Sequence, residues 1–387
     1  MRRTHRPAAS AVLAYSIRCF MPLLATVLFA SAVMISLSTV CAQAGETLRV
    51  PVIRDTWFSQ YGDEAKANLG GSARMKLKSI QEMSLVDIDP TPLKGRTVVA
   101  ATLHVKLAGD QPLRRVTVGT FASPWVEGTS PRYAPENGSS CFNFREYPDK
   151  PWTAGGGDLC HVILGQGGTL WHSADASEPD TEGWQTIPVD PKVVMARAAG
   201  ISHGFFLFDD TGSEWTRDGE SFKPHLFPNR YIYSKDQNAA SAPYFTIELG
   251  EPDTAAPEAP QFVTNADSSD IDNAWHSDVE LSQLRPGVEI FRWTTPRDEG
   301  TSGVIGFDVT IDGEPVPRYL IPASGKPGEP VVFRLCEMPI PRDMDIEHTI
   351  VIRTVDGAGN RSAPVSRTFH RSPIPEIELP ADAPVMF

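Results

Sequence analysis

The sequence predicts an all-β protein built as two successive sandwiches, the first larger than the second. Three observations predict this. Proline and glycine are abundant, at 34 and 30 of 387 residues, and turn-forming clusters recur roughly every 8–12 residues. The runs between those turns alternate apolar and polar residues with period two, as half-buried strands do. Long stretches with the 3.6-residue period of amphipathic helices are missing.

The chain opens on a segment outside this pattern. Residues 1–44 carry Arg2, Arg3, His5, Arg6 and Arg18, then a largely apolar stretch from Phe20 to Val40, then Ala42-Gln43-Ala44. That order reads as a secretory signal peptide cleaved before Gly45, which predicts a secreted, extracellular or cell-surface protein. The apolar stretch is long enough to span a bilayer, so an uncleaved anchor is the alternative. No second such stretch follows, so no membrane association is expected after cleavage. Cleavage removes four arginines and no acid, moving the net charge from −13 to −17, with 31 basic and 48 acidic residues left. Such a chain lacks the basic footprint of a nucleic-acid binder. A polyanionic ligand would need a local positive patch working against the overall field.

Of the five cysteines, Cys141, Cys160 and Cys336 lie beyond the signal. Cys141 and Cys160 flank a Gly-rich segment, and export makes a disulfide between them an expectation. Closing so short a loop would contribute on the order of 3 kcal/mol. Cys336 ends an alternating run from Val331 and reads as a buried free thiol.

Several strands follow from alternation. Val99, Ala101, Leu103, Val105 and Leu107 are expected on one face, with Thr102, His104 and Lys106 on the other. Phe245, Ile247 and Leu249 alternate with Thr246 and Glu248. Ile305, Phe307, Val309 and Ile311 form another apolar face, after which Asp312-Gly313 turns the chain. His203 to Phe208 is apolar on both faces, which suggests a central strand. One short helix is expected, capped by Asp190, with Pro191 in its first turn, continuing through Val193 to Ala199 and stopped by Gly200. The organisation that results is a first module over residues 45–250 and a Pro-rich, semi-rigid linker over 251–260. A second module over 261–371 and a Pro-rich tail over 372–387 complete it.

Two resemblances run along these modules. In order, the first carries Asp55-Thr56, Asn68-Leu69-Gly70-Gly71-Ser72, Leu77-Lys78, and Leu93-Lys94-Gly95 leading to Val98-Val99-Ala100-Ala101-Thr102-Leu103. Trp125-Val126-Glu127-Gly128, Gly183-Trp184, the short helix, His203-Gly204-Phe205-Phe206-Leu207, Arg230 to Asp236 and the closing strand Pro243 to Leu249 follow. This ordered set resembles the DNRLRE family, grouped with the family 96 carbohydrate-binding modules. The resemblance implies a jelly-roll-like β-sandwich that binds acidic or neutral polysaccharide in some members. The chain departs from the family at Arg197 and Ala198, where a tryptophan is usual, and in a longer stretch from Ser130 to Asp180 that holds the cysteine pair. In the second module, Phe291-Arg292-Trp293, Ser302 to Val309 and Val355-Asp356-Gly357-Ala358-Gly359-Asn360-Arg361-Ser362 resemble a fibronectin type III or bacterial Ig-like module. Such modules usually act as spacers or adhesion units, and fold alone does not fix function.

The motifs of catalysis are weak. Gly200-Ile201-Ser202-His203-Gly204 matches the nucleophile pattern of hydrolases, but that elbow needs a strand before the serine and a helix after it. Here the order is reversed. Asp343, Asp345 and Glu347 are spaced like the start of a calcium loop, yet its glycine and distal glutamate are replaced by His348 and Thr354. Oxygen ligands for a structural calcium are offered by Asp55 with the Asn68 loop and by Asp209-Asp210, with ordinary turn chemistry as the alternative.

Sugar recognition needs exposed aromatic faces for pyranose C–H surfaces and polar groups at their rims. Trp57 and Tyr61 lie together in an early polar segment. Trp171 and Trp215, like Trp152, sit in Gly-rich or polar sequence. Tyr231 alternates with Tyr233, and Arg230 and Lys235 flank them as hydrogen-bond donors. Trp125, Trp184 and Trp293 read as core. The expectation is a non-catalytic protein that binds polysaccharide or cell-surface glycan. The alternatives are a structural or adhesion protein for protein partners and an unrecognised polysaccharide-degrading enzyme.

Overall fold

The first module carries β1 (Glu46–Ser59), β2 (Arg74–Leu77), β3 (Glu82–Ile88), β4 (Arg96–Lys106), β5 (Arg115–Thr120), β6 (Phe144–Glu146), β7 (Lys150–Pro151), β8 (Trp171–Asp175) and β9 (Trp184–Val189). β10 (Phe205–Asp209), β11 (Ser213–Asp218), β12 (Ser221–Leu226), β13 (Arg230–Tyr233) and β14 (Tyr244–Pro252) complete it, with helices α1 (Leu159–Leu164) and α2 (Pro191–Ala198). The computed structural model describes residues 45–165, 168–211, 213–218, 221–226, 228–263, 289–335 and 337–371, with backbone only for 213–226. The signal segment, Cys336 and the tail, on which three of the expectations fall, lie outside the described residues.

β1 belongs to two sheets. Its first half, Glu46 to Pro51, pairs antiparallel with β14, and its second half pairs with β3. The hand-over sits at an irregularity between Val52 and Arg54, where a bulge bends the strand and raises its twist. One sheet then runs β1–β14–β4–β9 and the other β1–β3–β10–β5–β8. This is the all-β sandwich that the alternation predicts. Phe245, Ile247 and Leu249 are buried together in the space between the sheets, with Leu103, Val105 and Ile187. β4 departs from its expected phase. Its pairing with β14 shifts between Glu248 and Leu249, so Val98 turns inward and Val99 is exposed at 54%.

β3 and β10 are buried along their whole length. β10 lies between β5 and β3, the central position that its two apolar faces require. Phe205 and Leu207 point into the sandwich. Phe206 and Phe208 point the other way, into a second core with Trp152, Leu159, Val162 and Tyr319. The long 130–180 segment therefore supplies a third layer. α1, which no sequence signal predicted, sits there, capped by Asp158 accepting from the Cys160 N–H. α2 forms as expected, with Asp190 accepting from the Lys192 N–H at 2.8 Å and Gly200 at φ +80° ending it.

The cysteine pair requires a correction: Cys141 and Cys160 are free thiols. Their two segments are already joined without a covalent bond. The Leu159 N–H donates to the Phe142 carbonyl at 2.9 Å, and the Trp152 indole N–H reaches the Cys141 and Phe142 carbonyls at 2.9 and 3.0 Å. Burial raises both thiols, and pushes Cys160 to about 11, so little of the thiolate needed for exchange exists near neutrality.

The second module carries β15 (Gln261–Phe262), β16 (Glu289–Thr294), β17 (Val304–Ile311), β18 (Glu314–Pro315), β19 (Pro330–Leu335), β20 (Glu347–Asp356) and β21 (Val365–His370). They form sheets β15–β16–β19 and β18–β17–β20–β21. Trp293 is fully buried between them, edge-on to Phe307 at 5.2 Å. Asp312 and Gly313 both adopt positive φ, 51° and 86°, as the two-residue hairpin joining β17 to β18 demands.

The Pro-rich segment does not behave as a free spacer. Its Asp253 is 4% exposed, its backbone bonds Gly95, and the Asn360 side chain donates to the Asp253 carbonyl at 3.0 Å. The second core continues from Phe206 through Tyr319 to Phe307 and Phe333. α2 packs so closely on the second module that a Cβ at Gly357 would lie 2.4 Å from the Met195 sulfur. Residues 44–387 accordingly form one unit. Among the described residues no helix is long and apolar enough to cross a membrane.

Candidate ligand-binding surface

β2 and β13 form a small ladder of their own, with Tyr231 opposite Lys76 and Tyr233 opposite Arg74. Period two sends Met75, Leu77 and Ile232 into the core and leaves Arg74, Lys76, Tyr231 and Tyr233 on the other face. Neighbouring segments add aromatics beside that face. The Arg74 guanidinium lies 4.7 Å from the centre of the Tyr231 ring. The Lys76 ammonium lies 5.9 Å from both Tyr231 and Trp57, and Lys78 lies 5.5 Å from Tyr61. Tyr133, from the long insertion, stands edge-on to Trp57 at 5.3 Å. Tyr61 and Tyr133 are 45% and 46% exposed, whereas Trp57 is only 5% exposed. The Trp57 indole N–H is buried with no hydrogen-bond partner, an expensive state for a buried donor. Glu82, 2.7 Å from the Lys76 ammonium, and Glu64 add acceptors.

The structure thus brings Trp57, Tyr61 and Tyr231 together and adds Arg74, Lys76, Lys78 and Tyr133, which sequence reasoning missed. Alternation of Arg74, Lys76 and Lys78 was the available signal. Arg230 requires a correction. It is 3% exposed, paired with Asp209 at 2.9 Å, and serves the interior rather than a ligand. Its place at an inward position of β13 decides this. Lys235 also turns away from the aromatics. Its ammonium lies 3.0 Å from Glu127 and 2.9 Å from Asp236. Trp171 is exposed at 43% on the edge strand β8, packed edge-on against Phe206 and Phe208, apart from this group. The side chain of Trp215 lies outside the described residues.

The proposed calcium ligands have protein partners. Asn68 spends its amide on the Glu127 and Ser140 carbonyls at 2.7 and 2.9 Å. Asp209 holds Arg230, and Asp210 accepts from Thr117 at 3.0 Å. Asp55, Glu127 and Asp236 do cluster, but the Lys235 ammonium bonds two of them and its backbone N–H donates to Asp55 at 2.7 Å. Burial raises Asp55 to about 7 despite that help. The folded chain therefore binds this proton more tightly than the unfolded chain does. The expected result is stability that falls as pH rises from about 4 to about 7. Asp55→Asn should flatten that part of a plot of melting temperature against pH.

Two other surfaces compare with this one. On the outer face of the first sheet His104 stacks on Tyr244 at 4.4 Å beside Trp184, which is half-buried rather than in the core. Arg49 covers Tyr244 at 3.9 Å and Lys106 lies 5.8 Å from Trp184. A cleft of about 480 Å³ opens between the modules, lined among others by Lys150, Trp152, His203, Arg318 and Tyr319. Two of its charges are engaged: Lys150 with Glu146 and Arg318 with Asp308, both at 2.7 Å. Burial, with Arg197 next, pushes His203 down to about 4. Ser202 of the hydrolase-like pattern is buried and donates to the Gly204 carbonyl at 2.6 Å.

The sequence matches no family and no curated protein. Among solved structures, the spore cortex lytic enzyme SleM of Clostridium perfringens aligns at 9% identity and a TM-score of 0.19, over 40% of this chain and 36% of that one. The glycoside hydrolase domain of Endo-D from Streptococcus pneumoniae R6 aligns at 11% identity and 0.19, over 84% and 37%. The beta-1,2-glucanase of Parabacteroides distasonis aligns at 10% identity and 0.23, over 86% and 37%. The chain thus spans little more than a third of the length of each, and scores this low establish no structural equivalence.

Proposed function

We propose that this chain is an exported, non-catalytic glycan-binding protein whose ligand lies across the β2–β13 face. The observation that carries the reading is the unpartnered Trp57 indole N–H beneath Tyr133 and beside the cation-flanked Tyr231. Aromatic rings for C–H surfaces, with Arg74, Lys76, Glu64 and Glu82 at their edges for hydroxyls, are what a sugar chain requires. Arg74 and Lys78 also supply the local positive charge that an acidic glycan would need against the field of this acidic chain. The inter-module cleft has one carboxylate in its lining, Asp149, whereas glycoside hydrolysis ordinarily uses two. Affinity electrophoresis through gels containing neutral and uronic-acid polysaccharides tests the reading. Retardation by at least one glycan is expected, and migration unchanged by every member of the panel would sink it.

The burial of Trp57 favours a second reading, a structural or adhesion protein for protein partners. Its mark would be a β2–β13 face whose substitution alters partner capture but never migration in a glycan gel.

A further inference from the structure

The cleft between the modules is walled by the β6–β7 hairpin and His203 of the first module and by the short 3-10 turn Arg318–Leu320 of the second. Its volume of about 480 Å³ lies within the range of roughly 300–1,000 Å³ usual for small-ligand sites. Arg145 lines it from β6, and its guanidinium is out of use. The Nε is buried and has no hydrogen-bond partner. The carboxylate beside it, Glu146, stands 3.8 Å away, beyond hydrogen-bond distance, and its other oxygen is taken by the Lys150 ammonium at 2.7 Å. Among the described residues no other acceptor reaches Arg145. We propose that this cleft binds a hydroxylated monocarboxylate, whose carboxylate pairs with the Arg145 guanidinium.

A buried charged donor without an acceptor is costly. A carboxylate is the acceptor that meets the planar guanidinium fork with two parallel hydrogen bonds. The main chain behind the fork is already fixed. The Ser140 hydroxyl donates to the Arg145 carbonyl at 2.6 Å, and the Tyr147 N–H donates to the Ser139 carbonyl at 2.9 Å. Binding therefore needs little ordering of backbone, which favours affinity. Across the cleft, Arg318 is held by the Phe307 carbonyl and by Asp308, so its charge is already answered. Trp152 is buried, with its indole N–H spent on the Cys141 and Phe142 carbonyls. It gives the cleft an apolar floor.

Asp149 sets the charge of the ligand. It is exposed on the turn of the same hairpin and lines the cleft, and among the described residues no cation pairs with it. Its charge repels a second anionic group, and so does the field of a chain with 48 acidic and 35 basic residues. Dicarboxylates and phosphate dianions are thereby disfavoured, while a single carboxylate can still reach Arg145. Asp149 and the half-buried His203 ring serve the ligand's hydroxyls. Burial holds His203 neutral at ordinary pH, so one ring nitrogen donates and the other accepts. Sugar acids and open-chain hydroxy acids share this chemistry. The cleft has no residue in common with the β2–β13 face, and the proposal stands whether or not that face binds a glycan.

The test titrates the full chain with glucuronate, gluconate and glucose, followed by ligand-detected NMR. Saturable binding of at least one acid is expected, and none of glucose. Binding of glucuronate alone assigns the cleft to sugar acids, and binding of gluconate alone assigns it to open-chain hydroxy acids. Arg145→Gln should weaken binding at least tenfold, with the melting temperature unchanged or raised because a buried unpaired donor is removed. Asp149→Asn should strengthen binding. Should Arg145→Gln fail to fold, Arg145→Lys, which keeps the charge and loses the fork, is read in the same way. No saturable binding of either acid would overturn the proposal. So would glucose bound as tightly as glucuronate, or undiminished binding in the folded Arg145 variant.

Discussion

Replacing Arg230 with alanine is expected to cost the fold about 3–5 kcal/mol, the loss typical when one partner of a buried ion pair is removed. Arg230 and Asp209 are 3% and 1% exposed. The guanidinium also donates to the Pro112 carbonyl at 2.7 Å. Asp209 in turn accepts from the Arg114 and Thr211 backbone N–H groups at 2.8 and 3.1 Å. Removing the guanidinium leaves a carboxylate in the interior with only neutral donors, and that stranded charge is the source of the loss. The expected remedy follows from the cause. Arg230→Met combined with Asp209→Asn keeps the volume, removes the stranded charge and should recover part of the stability. Urea unfolding midpoints of the single and double variants measure it. A double variant no more stable than Arg230→Ala would mean that the loss comes from the Pro112 contact instead. Because Arg230 pairs with Leu77 across the ladder, its loss also loosens the strand that presents Tyr231.

Arg230 also shows where sequence reading stops. Its neighbours Tyr231 and Tyr233 were legible as one face of a strand, and so was the central position of β10. What alternation does not reveal is which face of an isolated ladder is inward. Arg230 shares the inward face with Ile232, and a charge is tolerated there only because Asp209, distant in sequence, arrives to pair with it. Val99 failed for a related reason, since one irregular pairing step reversed the phase of a correctly predicted strand. Trp152 sits in Gly-rich sequence yet is fully buried, because the inserted segment folds back as a third layer over Phe206 and Phe208. The docked Pro-rich segment is similar. Its composition reads as a spacer, and only the meeting of Asp253 with Ser302 and Asn360 fixes it in place. Long-range partners decide each of these cases.

Substitutions at Trp57 and Tyr133 are expected to separate binding from stability. Trp57→Ala would excavate the core and cost about 3–5 kcal/mol, so its effect on a ligand would be uninterpretable. Trp57→Phe keeps an aromatic ring and removes only the indole N–H and part of the ring volume. The lost volume destabilises, while removal of a buried unpaired donor relieves a cost of about 1–3 kcal/mol. The two oppose one another, so the melting temperature should change little. Under the glycan-binding proposal affinity should nevertheless fall, because a bound sugar would supply the acceptor that the N–H lacks. Tyr133 is 46% exposed, so Tyr133→Ala should be mild for the fold. If that ring forms one wall of the site, its removal should weaken glycan binding by about tenfold or more, as loss of a central aromatic anchor does. Glycan affinities from gels of graded polysaccharide content, set beside thermal melts of the same variants, give the readout. A Trp57→Phe variant with unchanged affinity would show that the N–H is an interior defect rather than a ligand contact. Unchanged binding by Tyr133→Ala as well would remove this face from the glycan site altogether.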